Sequence, residues 1–225
     1  MLTVACLKQG TLYSAAYVNI LAAMVARNLT LRYRFVCFTD DMQGIDCRAH
    51  HIECWPIRDR LEGWWGKLAL FAPGTFDDRV LFLDLDTVIL GNIDAVASYD
   101  GRFAILRDFN FADHYGSGVM AWKPSPRTEF IWESWNFDAR PRPQRGDQQS
   151  IEIALRGEGL TPDLWQDLFP GAFVSYKLDC FYHPPKADAK IVCFHGVPKP
   201  HECKRAFITK AWNDRASDQV GTHAA

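Results

Sequence analysis

The stretch RVLFLDLDTVIL, Arg79 to Leu90, places two carboxylates, Asp84 and Asp86, at the end of an apolar run of the kind that enters a protein core. A lone ionised carboxylate in such a place costs several kcal/mol or neutralises itself, so the pair requires cations or hydrogen-bond donors. Three strand candidates precede Val80–Leu83, namely Leu2–Cys6, Arg34–Phe38 and Ile52–Ile57. Between the first two, Tyr13, Tyr17, Ile20, Leu21 and Met24 recur at helical spacing within Leu12–Asn28. A short helix is expected over Gly66–Phe71, stopped by Pro73-Gly74. Near-continuous apolar strands alternating with helices predict an α/β domain with a mostly parallel sheet covered on both faces. Ligands of such sheets bind beyond the carboxyl ends of the strands, where Asp84 and Asp86 stand.

Further on, Phe103–Leu106 and Val119–Trp122 read as strands, Thr128–Trp135 and Gln148–Leu155 as helices, and Lys190–Phe194 as a final strand. RPRPQRG, Arg140 to Gly146, reads as a loop, and the polar residues beyond Lys204 as a loosely attached tail. No repeat or linker divides the 225 residues, which fit one domain. An apolar fraction of 48%, with 8 Trp, 7 Tyr and 15 Phe, excludes a disordered chain. A net charge of −2 provides no basic footprint for nucleic acid.

The start, MLTVACLKQG, lacks the pattern of a signal peptide, and Gln9–Ala26, although uncharged, is periodic and interrupted by Thr11, Ser14 and Asn19. No transmembrane segment is expected. The 7 cysteines form no CxxC, which fits reduced thiols and a cytoplasmic setting. CRAHHIEC, with Cys47, His50, His51 and Cys54, groups possible zinc ligands, but at a spacing foreign to common zinc modules.

Asp84 and Asp86 admit three readings. Both can reach a hard divalent cation that bridges a diphosphate. Asp86 can instead bond the backbone N–H of Val88 or Ile89 in a capped loop. In a haloacid dehalogenase-type phosphatase the first Asp of Asp84-Leu85-Asp86-Thr87 would be a nucleophile. That motif belongs on an opening strand, however, and needs a later acidic pair, whereas Gly146-Asp147 is followed by Gln148 and Gln149.

Three further segments, GWWGKLALFAPG (Gly63 to Gly74), GSGVMAW (Gly116 to Trp122) and CFHGVPKPHE (Cys193 to Glu202), join FLDLDTVI and GDQQS in an order that resembles the A-type glycosyltransferases. Nearest is the glycogenin-like and bacterial galactosyltransferase group of family 8. The resemblance runs from the first strand to about residue 202. It implies a single-domain fold over residues 1–203, with a Rossmann-like nucleotide-binding half (about 1–106), an acceptor- and sugar-facing half (about 107–203) and a tail, 204–225. It also implies transfer of a hexose, with retention, from a nucleoside-diphosphate sugar, a UDP-sugar, to a glycan, lipid-linked saccharide or protein.

On that resemblance Asp84 and Asp86 match the metal-binding DxD that holds Mn²⁺ or Mg²⁺ on the diphosphate. Lys67 matches a basic residue near the donor, and Asp147 and Gln148 an Asp-Gln pair facing the donor sugar. Lys199, with Gly196 in Gly-x-x-Lys-Pro, matches the lysine that reaches the diphosphate, and Tyr13 an aromatic beside uracil. The family pattern His-x-x-Gly has Cys193 in place of its histidine, with His195 directly before Gly196. A hard cation favours imidazole over thiolate, which selects His195 as third ligand. Gly116 replaces an asparagine of the family pattern, and Trp64 and Trp65 are open to either sugar stacking or core packing. A nucleotide-sugar-binding protein without turnover is the alternative to an enzyme.

Overall fold

The computed structural model describes residues 1–57, 61–135 and 144–213. Its main sheet has seven strands in the order β3-β2-β1-β4-β7-β6-β8. These are β1 (Leu2–Lys8), β2 (Tyr33–Thr39), β3 (Ile52–Pro56), β4 (Val80–Leu83), β6 (Phe103–Arg107), β7 (Tyr115–Trp122) and β8 (Asp163–Leu164). β1 runs parallel to β2 and β4, β2 to β3 and β6 to β8, while β7 lies antiparallel to β4 and β6. The domain is therefore α/β with a mostly parallel, mixed sheet. A smaller sheet of order β5-β10-β9 joins β5 (Thr87–Ile89), β10 (Ile191–Cys193) and β9 (Phe173–Ser175).

The central strands are apolar throughout because both faces are covered. Val4 and Cys6 of β1 and Leu81 and Leu83 of β4 face α1 (Ala15–Asn28), which contributes Val18, Leu21 and Val25. Ala5, Val36, Val80 and Phe82 face the opposite way, against Leu68 and Phe71 of the Gly63–Phe71 segment and against α3 (Pro126–Glu133) and α4 (Asp147–Gly157). The single-turn helices α2 (Asp94–Ala97) and α5 (Trp165–Leu168) connect strands.

Several boundaries depart from the sequence reading. The first helix begins at Ala15, after Ser14, and the Gly63–Phe71 segment is a 3₁₀ helix. β7 starts at Tyr115, four residues ahead of Val119, because the two glycines of GSGV are tolerated inside the strand. Of the loop Arg140–Gly146, only Gln144 to Gly146 are described, as a turn, and Arg140 to Pro143 lie outside the described residues. The tail reading is corrected over α6 (Ala206–Asn213), where Ile208 and Trp212 are buried and Trp212 packs edge-on against Tyr17 at 5.0 Å. An eight-residue amphipathic helix carries too few apolar positions to stand out from a polar segment. Residues 214–225 lie outside the described residues. Among those described, no helix is long and apolar enough to cross a membrane.

Candidate active site

The site is built on the corner that leaves β4. Asp84 N–H donates to Gly118 O at 2.8 Å, extending the β4–β7 ladder by one bond, and Thr87 N–H donates to Asp84 O at 3.0 Å to close a turn. Leu85 is buried between the two carboxylates. From Thr87 the chain enters β5, which pairs antiparallel with β10 so that Thr87 stands opposite Cys193. That pairing delivers Phe194 to Lys199 to the corner, across a sequence gap of more than a hundred residues. The result is a cleft of about 690 Å³ at the carboxyl ends of β1 and β4, lined by every residue assigned to the site from sequence: Tyr13, Lys67, Asp84, Asp86, Asp147, Gln148, His195, Gly196 and Lys199.

The charges gather in two groups. Lys67 Nζ stands 2.8 Å and 3.0 Å from the two oxygens of Asp84 and 3.4 Å from Asp147 Oδ2. Ser117 Oγ donates to Asp147 Oδ2 at 2.5 Å and accepts from Lys67 at 3.2 Å. Burial opposes the charge of Lys67, but Asp147 and Asp84 outweigh it and hold the ammonium above its ordinary range. Burial, added to the repulsion of Asp86 and offset by Lys67, pushes Asp84 up to about 7. In the second group, Lys199 Nζ donates to Asp86 Oδ2 at 2.7 Å and to Tyr13 OH at 2.6 Å, and Tyr13 OH donates to Asp86 at 2.7 Å. Burial and then Asp86 raise the phenol well above its usual value.

The opening carboxylates are thus compensated by one lysine each, and Asp86 is engaged by side chains from two loops. A divalent ion takes hard oxygen donors, which both carboxylates supply from one corner. His195 does not join them in this structure. Its Nε2 lies 2.7 Å from Ser175 Oγ, and its ring stacks on Phe109 with 11° between planes. Burial, then Lys177, lowers its affinity for a proton, which suits a neutral imidazole. Burial raises the Cys193 thiol far above its ordinary range, which disfavours a thiolate. Among the described residues no three His, Cys, Asp or Glu side chains stand together as a ready metal cage.

Asp147 is the first residue of α4, with Gly146 as N-cap at φ +71° and no capping side chain. Its carboxylate accepts from Ser117 and pairs with Lys67 and does not cap the helix. Gly146 is required: its φ is left-handed, and an added Cβ would lie 2.8 Å from Trp64 Nε1. Trp64 is exposed at the cleft, whereas Trp65 is buried and stacks on Trp135 at 4.9 Å, which assigns Trp65 to core packing. Gln148 Nε2 donates to Asp108 Oδ2 at 3.1 Å.

No protein-family model matches the sequence, and no curated protein does. Solved structures do. Glycosyltransferase GlyE of Streptococcus pneumoniae TIGR4 superposes with a TM-score of 0.69 at 13% identity, over 96% of this chain and 60% of that one. The bifunctional glycosyltransferase WbbM, in its apo structure, superposes with a TM-score of 0.62 at 12% identity, over 88% of this chain and 46% of that one. The chain has a glycosyltransferase fold. It spans about 60% of the length of GlyE and less than half of WbbM.

On this fold Asp84 follows the fourth strand in chain order, away from the opening strand that a phosphatase nucleophile of the DxDxT type would need. Sequence reasoning missed Ser117 and Asp108. The first is hidden among glycines in GSGV, and its signal was a lone hydroxyl in an apolar strand. The second ends β6 much as Asp84 ends β4, a position that marks it as cleft-facing. Elsewhere, Cys47 and Cys54 stand 3.4 Å apart as free thiols, with His51 exposed and outside their contact.

Proposed function

We propose that the chain transfers a hexose from a nucleoside-diphosphate sugar, a UDP-sugar, to a glycan, lipid-linked saccharide or protein, with retention, in the manner of family 8. The observation that carries this reading is the presence of two lysine–carboxylate groups in the lining of one cleft on a glycosyltransferase fold. Departure of a nucleoside diphosphate requires positive charge where the leaving phosphate gathers negative charge. Lys199 is suited to it, since its ammonium is held, among the described residues, by Asp86 and the phenol of Tyr13 and can exchange them for phosphate oxygens. Asp147 and Gln148 line the same cleft, and in this reading their carboxylate and amide position the sugar or stabilise the positive anomeric carbon.

Mn²⁺ or Mg²⁺ belongs to the proposal, with Asp84 and Asp86 as oxygen ligands and His195 as third ligand after release of Ser175. When bound, such an ion supplies Lewis-acid charge to the diphosphate. The cytoplasmic setting read from the cysteines belongs to it as well.

A screen of nucleotide sugars for donor hydrolysis, with and without Mn²⁺, tests the reading without an acceptor. UDP release should occur with one donor, require the ion and vanish in Asp86→Asn. UDP binding without hydrolysis of any donor would replace the enzyme by a nucleotide-sugar-binding protein. Phosphate release from a phosphomonoester would restore the phosphatase.

A further inference from the structure

Behind the cleft, outside its lining, α4 carries a second ionic cluster. The side chain of Glu152 is 4% exposed and collects three basic partners: Arg156 Nη2 at 2.6 Å, His114 Nδ1 at 2.9 Å and Arg145 Nη2 at 3.0 Å. His114 Nδ1 stands 2.9 Å from Glu152 Oε1 and equally 2.9 Å from Arg145 Nη2, so the three side chains form one cluster. A buried carboxylate is costly unless its lone pairs are filled, and here several donors fill them. Arg156 comes from the same helix, one turn on. The other two come from elsewhere in the chain.

Arg145 directly precedes Gly146 and Asp147, and His114 directly precedes β7, which carries Ser117. Ser117 and Asp147 form the 2.5 Å hydrogen bond of the Lys67 group. Glu152 therefore grips both segments whose side chains must meet at Lys67. The grip matters because α4 starts without a capping side chain, on a left-handed glycine that leaves the approach of Asp147 unrestrained by a cap. A second restraint has the same origin: Arg145 N–H donates to Gln149 Oε1 at 3.1 Å.

We infer that Glu152 is a positioning residue, which holds Arg145 and His114 and through them sets Asp147 against Ser117 and Lys67. It touches neither donor nor acceptor. The inference rests on the proposed role of Asp147 at the donor sugar, and its test separates the two.

In donor hydrolysis, Glu152→Gln should lower kcat by roughly 10- to 100-fold with donor KM within about twofold, as expected when a catalytic group is misplaced by a fraction of an ångström. In an Asp147→Asn background the same substitution should add almost nothing, because the group it positions is already disabled. Arg145→Ala, at a partly exposed residue that threatens folding less, should reproduce the kcat effect. Independently of turnover, amide hydrogen exchange across 144–150 should accelerate in Glu152→Gln while exchange in β4 is unchanged. Full multiplication of the two kinetic losses, or unchanged exchange across 144–150, would overturn the inference. Wild-type turnover in Asp147→Asn would instead overturn the proposed role of Asp147.

Discussion

The two lysines of the cleft stand in opposite electrical situations. Lys67 is shared by two carboxylates, Asp84 and Asp147, so its group carries an excess of negative charge when both are ionised. Lys199 meets one carboxylate, Asp86, and a phenol, so its group is balanced. The supports differ too. Around Lys67 the partners sit at the end of β4, in β7 and at the start of α4, and around Lys199 on loops. In the proposed transfer, a fixed, electron-rich group would suit a sugar carbon that becomes positive, and a balanced group on loops would suit the exchange of one anion for another, so that one cleft would treat the two ends of the breaking bond differently.

The largest expected effect comes from Lys67→Met. It leaves two carboxylates near each other with no counter-ion, so stability should fall by about 3 kcal/mol or more in chemical denaturation, with turnover lost. If stability barely changes, the Lys67 group is not the rigid partner in the comparison. Lys199→Ala should act on binding as well, raising donor KM by roughly 10-fold or more, and because Asp86 is buried and keeps the phenol of Tyr13 but no ammonium, the thermal midpoint should fall too. A kcat loss at constant KM would reverse the assigned roles. Sharpening the loop side further, His195→Ala should raise the Mn²⁺ concentration needed for half-maximal turnover by roughly 10-fold, whereas Cys193→Ser should alter stability more than metal demand.

The smallest effect concerns acid stability. Burial alone would raise Glu152, but hydrogen bonds from His114 and Arg145 and the charge of Arg156 outweigh it and hold the carboxyl below its ordinary value of 4.5. A carboxyl lowered by folding stabilises fully above its unfolded value, and that contribution is lost as pH falls through the folded one. Glu152→Gln should thus lower the midpoint by about 5 °C at neutral pH, with the gap to wild type closing under acid. A gap that persists in acid would mean that packing, not charge, holds the cluster.

What was legible in the sequence follows the same divide. β1, β2 and β4 declare themselves through runs buried on both faces, and the ends of such strands expose Asp84 and Asp86 as cleft residues. Three-residue strands such as β5 and β9 are too short for any periodicity, so of the small sheet that brings His195 and Lys199 to the corner only β10 left a local trace, in Lys190–Phe194. Motif order placed Lys67 and Asp147 in the site, but not their sharing of one charge. That depends on Ser117, whose neighbours in sequence are glycines, and on pairings between distant elements. Glu152 is still less visible, because a glutamate on an amphipathic helix ordinarily belongs to a solvated face.

The C-terminal helix gives the cleft a reach beyond its own walls. Tyr13 packs on Tyr17 at 4.9 Å, Tyr17 on Trp212 at 5.0 Å, and Arg27 Nη2 donates to Ala211 O at 2.8 Å. The phenol that contacts Asp86 and Lys199 is therefore the first ring of a relay that ends in α6. If the cleft binds a nucleotide as proposed, a nucleotide that orders Tyr13 should by mass action also lend protection to residues 206–213, and loss of α6 should weaken its binding, although none of residues 206–213 lines the cleft.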